Sequence, residues 1–286
     1  MNESEFFIIG ANGQLGTALR TQYPGAQFAD ASELDITDRE AVESFDWGNT
    51  KYIINAAAYT NVDGAETEEG RRAAWAINAD AVANIVAVAA QYGAVLVHIS
   101  TDYVFDGTLE MHDEDEGFAP LGVYAQTKAA ADIIVSLTPK YYIVRTSWVM
   151  GSGNNFVRSI YGLGPKNISP NVVADQFGRP TFTDELVRGI DHLLTTNAAH
   201  GTYNLSNGGD VVSWADIARQ VYEYAGFTEQ GLTVGDTTAE EYFAGKVSSP
   251  RPVHSGLNLA KIEATGFTPR DWRDNLKEYI EKELAQ

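Results

Sequence analysis

The stretch Phe6-Phe7-Ile8-Ile9-Gly10-Ala11-Asn12-Gly13-Gln14-Leu15-Gly16 joins a short apolar run to glycines spaced by three and three. Four apolar residues ended by glycine suit a strand buried on both faces, as in a parallel sheet. Gly10 can make the tight turn, and Gly13 lets a ligand approach the backbone with no Cβ in the way. Gly16 permits the next helix to pack closely on the strand. The start of that helix leaves unpaired N–H groups and a positive dipole end, which suit an anion such as a pyrophosphate. The spacing is a G-x-x-G-x-x-G relative of the dinucleotide fingerprint, not the fingerprint itself. A βα turn without a ligand would use the same residues.

The pattern repeats downstream. Residues 26–30 read as a second strand ending in Asp30, about 20 residues past Gly10, where a dinucleotide fold sets a carboxylate against the adenosine ribose. Asp30, Asp35 and Asp38 also fit simple turn or helix caps. Residues 51–55 form a third strand, running into Ala56-Ala57-Ala58-Tyr59-Thr60, small residues over which a cofactor can lie. Residues 66–92 read as one long amphipathic helix stopped by Gly93, and 94–99 as a fourth strand. The segment 100–123 is irregular, with Asp113-Glu114-Asp115-Glu116 read as a solvated face. A helix at 124–137 and a strand at 141–145 follow. This alternation predicts an α/β, Rossmann-like, doubly wound parallel sheet.

From about Gly151, Gly, Pro and Asn punctuate the chain, and helices are expected at 183–195, 213–225 and 271–283. Ser213 with Asp216 and Asp271 with Asp274 look like N-caps. The expected organisation is a dinucleotide-binding domain at 1–150, into which the chain crosses back from its C-terminal half. A smaller mixed α/β substrate-binding portion at 151–286 would close a cleft over it.

Composition narrows the function. Of the 286 residues, 20 are basic and 39 acidic, a net charge of −19. Such a surface repels nucleic acid and anionic membranes, so neither is an expected partner. An anionic ligand would need basic residues concentrated at its site. The absence of cysteine excludes disulfides, thiolate metal sites and Cys nucleophiles. The five histidines show no metal-ligand spacing, and no metal is assigned. An acidic N-terminus unlike a signal peptide, with no uninterrupted apolar run near 18 residues, points to a soluble, cytoplasmic protein.

The second constellation is Tyr124-Ala125-Gln126-Thr127-Lys128, preceded by Ser100-Thr101-Asp102. At i and i+4 on a helix, Tyr124 and Lys128 share a face. A phenol titrates near 10 in water, and a nearby ammonium would draw it toward neutrality. The Thr101 hydroxyl could bond the same substrate oxygen. By itself the pair is also an ordinary surface i,i+4 contact.

Taken in order, Gly10-x-x-Gly13-x-x-Gly16, Asn55-Ala56-Ala57-Ala58, Ser100-Thr101 and Tyr124-x-x-x-Lys128 resemble the extended short-chain dehydrogenase/reductases. The segments Asn55 to Asp63, Ser100 to Phe105, Arg145 to Val149, Asp175 to Gly178 and Arg251-Pro252 are similar to the branch that completes dTDP-L-rhamnose synthesis. The resemblance covers nearly the whole chain. It implies NADPH or NADH as cofactor and a dTDP-sugar as substrate. The implied reaction is reduction of the C4 ketone of dTDP-4-dehydro-L-rhamnose. Tyr124 would be the proton donor, Lys128 would lower its pKa and hold the nicotinamide ribose, and Thr101 would position the ketone.

By the same resemblance the cofactor would contact Gly10, Asn12, Gly13, Gln14, Leu15, Gly16, Asp30, Asp35, Ile36, Ala56, Ala57, Ala58, Tyr59, Ser100, Tyr124 and Lys128. The substrate would meet Val62, Thr101, Asp102, Tyr124, Trp148 and Arg251. Trp148 alone would read as core and Arg145 as an ion-pair residue; Arg251 could clamp a diphosphate or sit at the surface. Ala125 and Met150 depart from the family pattern, Met150 at the expected sugar pocket. Asp30 is followed by Ala31-Ser32, with no Arg for a 2′-phosphate, so NADH should be accepted at least as well as NADPH. A homodimer, or fusion to another sugar-nucleotide module, is compatible with the chain. Glu278, Glu281 and Glu283 could be metal ligands at a dimer contact but read more simply as helix surface. A related epimerase or dehydratase is the alternative enzyme, and a non-catalytic reductase-like regulatory subunit the alternative outside catalysis.

Overall fold

The computed structural model describes residues 1–284. Strands β1 (Phe6–Ile9), β2 (Gln27–Ala29), β3 (Tyr52–Asn55), β4 (Val95–Thr101) and β5 (Tyr141–Thr146) join an edge strand at Gly201–Asn204. Every pair in this six-stranded sheet is parallel, and the order is edge strand, β5, β4, β3, β1, β2. The expected doubly wound sheet is therefore present. All four β1 side chains are buried because alternate residues serve opposite layers. Phe6 and Ile8 pack with Leu15 and Leu19 of α1 (Gln14–Gln22) and with Leu186, Ile190 and Leu193 of α7 (Thr183–Thr195). Phe7 and Ile9 pack on the other face with Val42 of α2 (Arg39–Ser44), Ile85 and Val88 of α4 (Ala81–Tyr92), and Val135 of α5 (Val123–Val135).

The chain after residue 151 contributes to both parts of the molecule. Helix α7 packs beside α1, and the edge strand completes the sheet. A separate apolar cluster joins Val157 and Ile160 of α6 (Phe156–Tyr161) to Ile217 and Val221 of α8 (Trp214–Tyr224), with Phe182, Trp272 and Leu276. Ser213 caps α8 through a reciprocal bond pair with Asp216, as its sequence predicts. Met150 is buried in this cluster.

Three segments differ from expectation. Residues 66–92 are not one α-helix: α3 (Glu68–Trp75) passes through a π turn at Ala76–Asp80 into α4. That turn carries a buried Asn78, and Gly93 ends α4 at φ +62° as predicted. The stretch Glu68–Tyr92 is long and apolar enough to cross a membrane, but its apolar face packs on the sheet as a core helix does. Secondly, the acidic run is not wholly solvated. Glu114 accepts from the Asn204 N–H at 2.9 Å and Glu116 lies 2.8 Å from His112 Nδ1. An outer strand leaves N–H groups without a ladder partner, and this loop supplies an acceptor. Thirdly, the last helix is Trp272–Tyr279, followed by a π turn at Ile280–Leu284, and Asp271 caps the Arg273 N–H. Glu278 there is engaged by Arg270 and Lys282, while the Glu283 side chain is outside the described residues.

Candidate active site

The strand order reverses between β1 and β3, and the crevice beyond their C-terminal ends is where a doubly wound sheet binds its ligand. Gly10 sits there at φ +80°, and a Cβ on it would fall 2.6 Å from the Ala57 nitrogen. A Cβ on Gly16 would fall 2.2 Å from the Gly10 carbonyl oxygen. Gly13 differs: its absent Cβ would meet nothing closer than 3.4 Å. It is the N-cap of α1 and makes no side-chain cap, so among the described residues no side chain caps the first-turn N–H groups, which border the crevice. Gly10 and Gly16 thus serve packing, and Gly13 leaves room for an anion.

Three cavities meet in this crevice. The first, about 450 Å³, is lined by Gly10, Gly13, Asp30, Asp35, Ile36, Ala56, Ala57 and Ala58. Among the described residues lining it there is no Lys or Arg. The Asp30 carboxylate accepts from the Asn12 N–H at 3.2 Å and from the Ala31 N–H at 2.7 Å. Asp35 is turned onto Thr37. The second cavity, about 530 Å³, shares Gly13, Ala56 and Ala58 with the first and holds Val62, Ser100, Thr101, Asp102, Tyr124, Lys128 and Trp148. The third, about 430 Å³, shares Tyr103 and Trp214 with the second and is lined by Phe156, Tyr242, Phe243, Asn171, Gln176 and Arg251.

Residues from β4, α5 and β5 thus converge as their spacing predicts. The Thr101 hydroxyl donates to Asp102 Oδ1 at 2.9 Å, and Tyr124 faces the Thr101 hydroxyl. Lys128 Nζ donates to the Ile99 carbonyl at 2.6 Å and lies 3.3 Å from His98 Nε2. Burial, reinforced by the Asp102 carboxylate, pushes the Tyr124 phenol up from its ordinary value. The expected downward pull of the ammonium is therefore not what this site shows. Burial in turn pushes Lys128 down to about 8, against the opposing charge of Asp132. Burial also pushes Asp102 up to about 6, although the Ser255 and Thr101 hydroxyls favour its charged form.

Several buried polar atoms around the second cavity have no hydrogen-bond partner among the described residues: Ser100 Oγ, Thr146 Oγ1 and Asp102 Oδ2. The Ser255 hydroxyl beside Asp102 and the Ser100 hydroxyl beside Asp132 favour the charged carboxylates, yet Asp102 Oδ2 and Ser100 Oγ are left without a formed bond. Orphaned groups at this depth cost about 1–3 kcal/mol each unless a ligand satisfies them. With the open Gly13 cradle they fit an elongated polar ligand such as a nicotinamide dinucleotide.

Other expected residues are placed differently. The Tyr59 side chain packs against the Ala65, Ala74 and Val123 cluster, while its backbone is held by Asn78 through bonds of 2.8 and 3.1 Å. Arg251 reaches the third cavity, but Asp63 at 2.8 Å and the Ser249 carbonyl at 2.9 Å engage it. Gln14 accepts from the Gly151 N–H at 2.8 Å, tying α1 to the C-terminal part. Leu15 lines the second cavity. Trp148, in the left-handed region at φ +47°, stacks on Trp214 at 3.7 Å between ring centroids. Arg145 pairs with the buried Asp132 at 2.9 Å.

Sequence reasoning missed Asn78, His98 and Trp214. Asn78 and Asn84 are both polar breaks in the Ala-rich helix, and nothing in the sequence singles out the first of them. The others depend on contacts far apart along the chain.

A parallel sheet with a glycine cradle at its switch point, joined to a Thr–Tyr–Lys cavity, defines a nucleotide-dependent reductase of the extended short-chain class. Residues 4–285 match the family described as RmlD substrate binding domain. The chain is 35% identical over 292 residues to the dTDP-4-dehydrorhamnose reductase of Aggregatibacter actinomycetemcomitans, covering 96% of this chain and 97% of that one. It is similar in structure to a dTDP-4-dehydrorhamnose reductase of Clostridium acetobutylicum, with TM-score 0.88, 38% identity and coverage of 96% and 98%. A Bacillus anthracis dTDP-4-dehydrorhamnose reductase solved in complex with NADP gives TM-score 0.88, 36% identity and coverage of 97% and 98%. The chain belongs to the dTDP-4-dehydrorhamnose reductase family.

Proposed function

We propose that the protein reduces the C4 ketone of dTDP-4-dehydro-L-rhamnose to give dTDP-L-rhamnose, with NADH or NADPH as cofactor and Tyr124 as proton donor. The observation that carries this reading is the continuity of the three cavities, the second sharing lining residues with each of the other two. The cavity at Asp30 would take the adenosine end of the cofactor, and the Gly13 turn its pyrophosphate. The nicotinamide end would reach Lys128, Ser100 and Thr146. When bound, the cofactor supplies the hydride.

The third cavity suits the nucleoside of a dTDP-sugar. Its aromatic walls offer a face for a pyrimidine, and Arg251 at its rim would meet the diphosphate. The sugar would then lie in the second cavity beside Thr101, Asp102, Val62 and Trp148. Residues 151–286 supply most of the nucleoside side, which is the substrate-binding role assigned to them here.

At the reacting carbon the protein's work is placement and proton transfer. Thr101 and Tyr124 would present two hydroxyls to one ketone oxygen, Thr101 turning its proton there from Asp102 Oδ1. A phenol raised by burial stays protonated through neutral pH, which is the state a donor needs. As the oxygen becomes an alkoxide, the Tyr124 proton passes to it. Charged Lys128 would balance the phenolate left behind and hold the cofactor ribose. A general acid so placed contributes on the order of 10²–10⁴ in rate.

The test mixes purified protein with enzymatically generated dTDP-4-dehydro-L-rhamnose and either reduced cofactor, following nicotinamide absorbance. Turnover with formation of dTDP-L-rhamnose is expected. No consumption of either cofactor would refute the reading.

A further inference from the structure

His98 lies wholly buried in β4, between Asn55 of β3 and Lys128 of α5. Its protonation pattern follows from its neighbours. The Ala57 N–H can only donate, and it meets Asn55 Oδ1 at 3.1 Å. That contact turns Asn55 Nδ2, a donor, toward His98 Nδ1 at 3.2 Å. His98 Nδ1 must then accept, so the ring proton of the neutral imidazole sits on Nε2. Nε2–H points at Lys128 Nζ, 3.3 Å away. An ammonium has three donors and no lone pair, whereas a neutral amine can accept that N–H. Lys128 also donates to the Ile99 carbonyl at 2.6 Å, which either form can do.

We infer that Asn55 and His98 form a tautomer lock that weakens the hold of Lys128 on its proton, making His98 a positioning residue for the lysine beneath Tyr124. The groups facing Lys128 are few. Its own helix supplies Tyr124 and Asp132, β5 supplies Arg145 paired to Asp132, β4 supplies His98, and Asp102 lies past the end of β4. From β3 comes Asn55, which is uncharged. Asp132 favours the ammonium but is already engaged by Arg145. Burial lowers both His98 and Lys128, and the charge of Lys128 lowers His98 further, in the same direction as the lock.

The lock would keep Lys128 poised: charged at neutral pH to balance a phenolate, and able to lose its proton slightly above. The inference rests on the proposed reductase reading only for its activity readout.

The experiment uses the full chain without cofactor, labelled with ¹⁵N-histidine and with ¹³C,¹⁵N-lysine. His98 is expected as the neutral Nε2–H tautomer, not titrating across the range in which free histidine does. One lysine, assigned by its loss in Lys128→Met, should titrate near 8. In Asn55→Asp the carboxylate still accepts from Ala57 but also accepts from the ring. The proton then moves to Nδ1, the Nε2 lone pair turns to Lys128, and the lysine midpoint rises by about one unit or more. Asn55→Ala adds no charge and frees the ring, and it should give a smaller rise. The alkaline limb of kcat/KM should move up with the lysine in both.

An Nδ1–H or titrating His98 in the unmodified chain would overturn the inference even if both variants failed to fold. So would a rise in Asn55→Asp with none in Asn55→Ala, since charge alone would then account for it. Expected titrations in a protein that turns over no 4-keto sugar would instead refute the reductase reading and leave the lock standing.

Discussion

Asp102→Asn tests the site's electrostatics through stability. The wild-type side chain is 3% exposed, with Oδ1 bonded to Thr101 and Oδ2 unpartnered. Burial lifts its pKa from 3.8 to about 6, a shift of roughly two units. At about 1.4 kcal/mol per unit, ionised Asp102 opposes folding by up to about 3 kcal/mol. The sign follows from a folded-state value above the unfolded one. The favourable contribution is complete below the unfolded pKa and is lost as pH rises through about 6. Asparagine has the same shape, keeps an acceptor for Thr101 and can direct its amide toward Ser255. Urea unfolding of the ligand-free protein should therefore show the variant more stable at about pH 8, by up to about 3 kcal/mol. The gain should shrink near pH 6 and vanish near pH 4. Activity should fall in parallel if the carboxylate meets the sugar as proposed, since it lines the second cavity. A variant less stable at pH 8, or a gain independent of pH, would refute the reasoning.

Tyr124→Phe removes the donor and little volume, so equilibrium cofactor binding should persist while kcat falls by about 10²–10⁴; a retained kcat would exclude Tyr124 as the acid. The first cavity offers a 2′-phosphate Asp30 and no cation, so steady-state constants should show NADH used at least as well as NADPH, and Asp30→Ser should improve NADPH selectively. A strong NADPH preference in the unmodified protein would contradict that role for Asp30. Gly16→Ala would set a methyl 2.2 Å from the Gly10 carbonyl, a backbone atom held by the turn. Thermal unfolding should show a loss of about 1–3 kcal/mol together with weakened cofactor binding; an unchanged Tm would show that α1 can shift freely.

What the sequence made legible is what nearest neighbours decide. The apolar run of β1, the glycine turn, the Gly93 stop and the Ser213–Asp216 cap each carry their cause within a few residues. The Tyr124–Lys128 pairing is legible for the same reason, since helical spacing alone puts both on one face. Harder to read were features set by distant partners. Gly201–Asn204 has no apolar run of its own and is a strand because β5 needs an outer neighbour. The π turn at Ala76–Asp80 accompanies an Asn78 that binds the backbone of Tyr59, 19 residues away. Arg251 is engaged by Asp63, 188 residues away, a pairing invisible to motif reasoning. The phenol's upward shift likewise reflects burial, which no i,i+4 spacing reports.

The central claim is hydride delivery to C4 of the sugar with a proton from Tyr124. Its most direct test is a reaction of the purified protein with nicotinamide deuterated at its transferable position, with the product read by NMR and mass spectrometry. The account predicts dTDP-L-rhamnose carrying one deuterium at C4. Deuterium at another ring carbon, or an unlabelled sugar epimer formed without net cofactor oxidation, would contradict it.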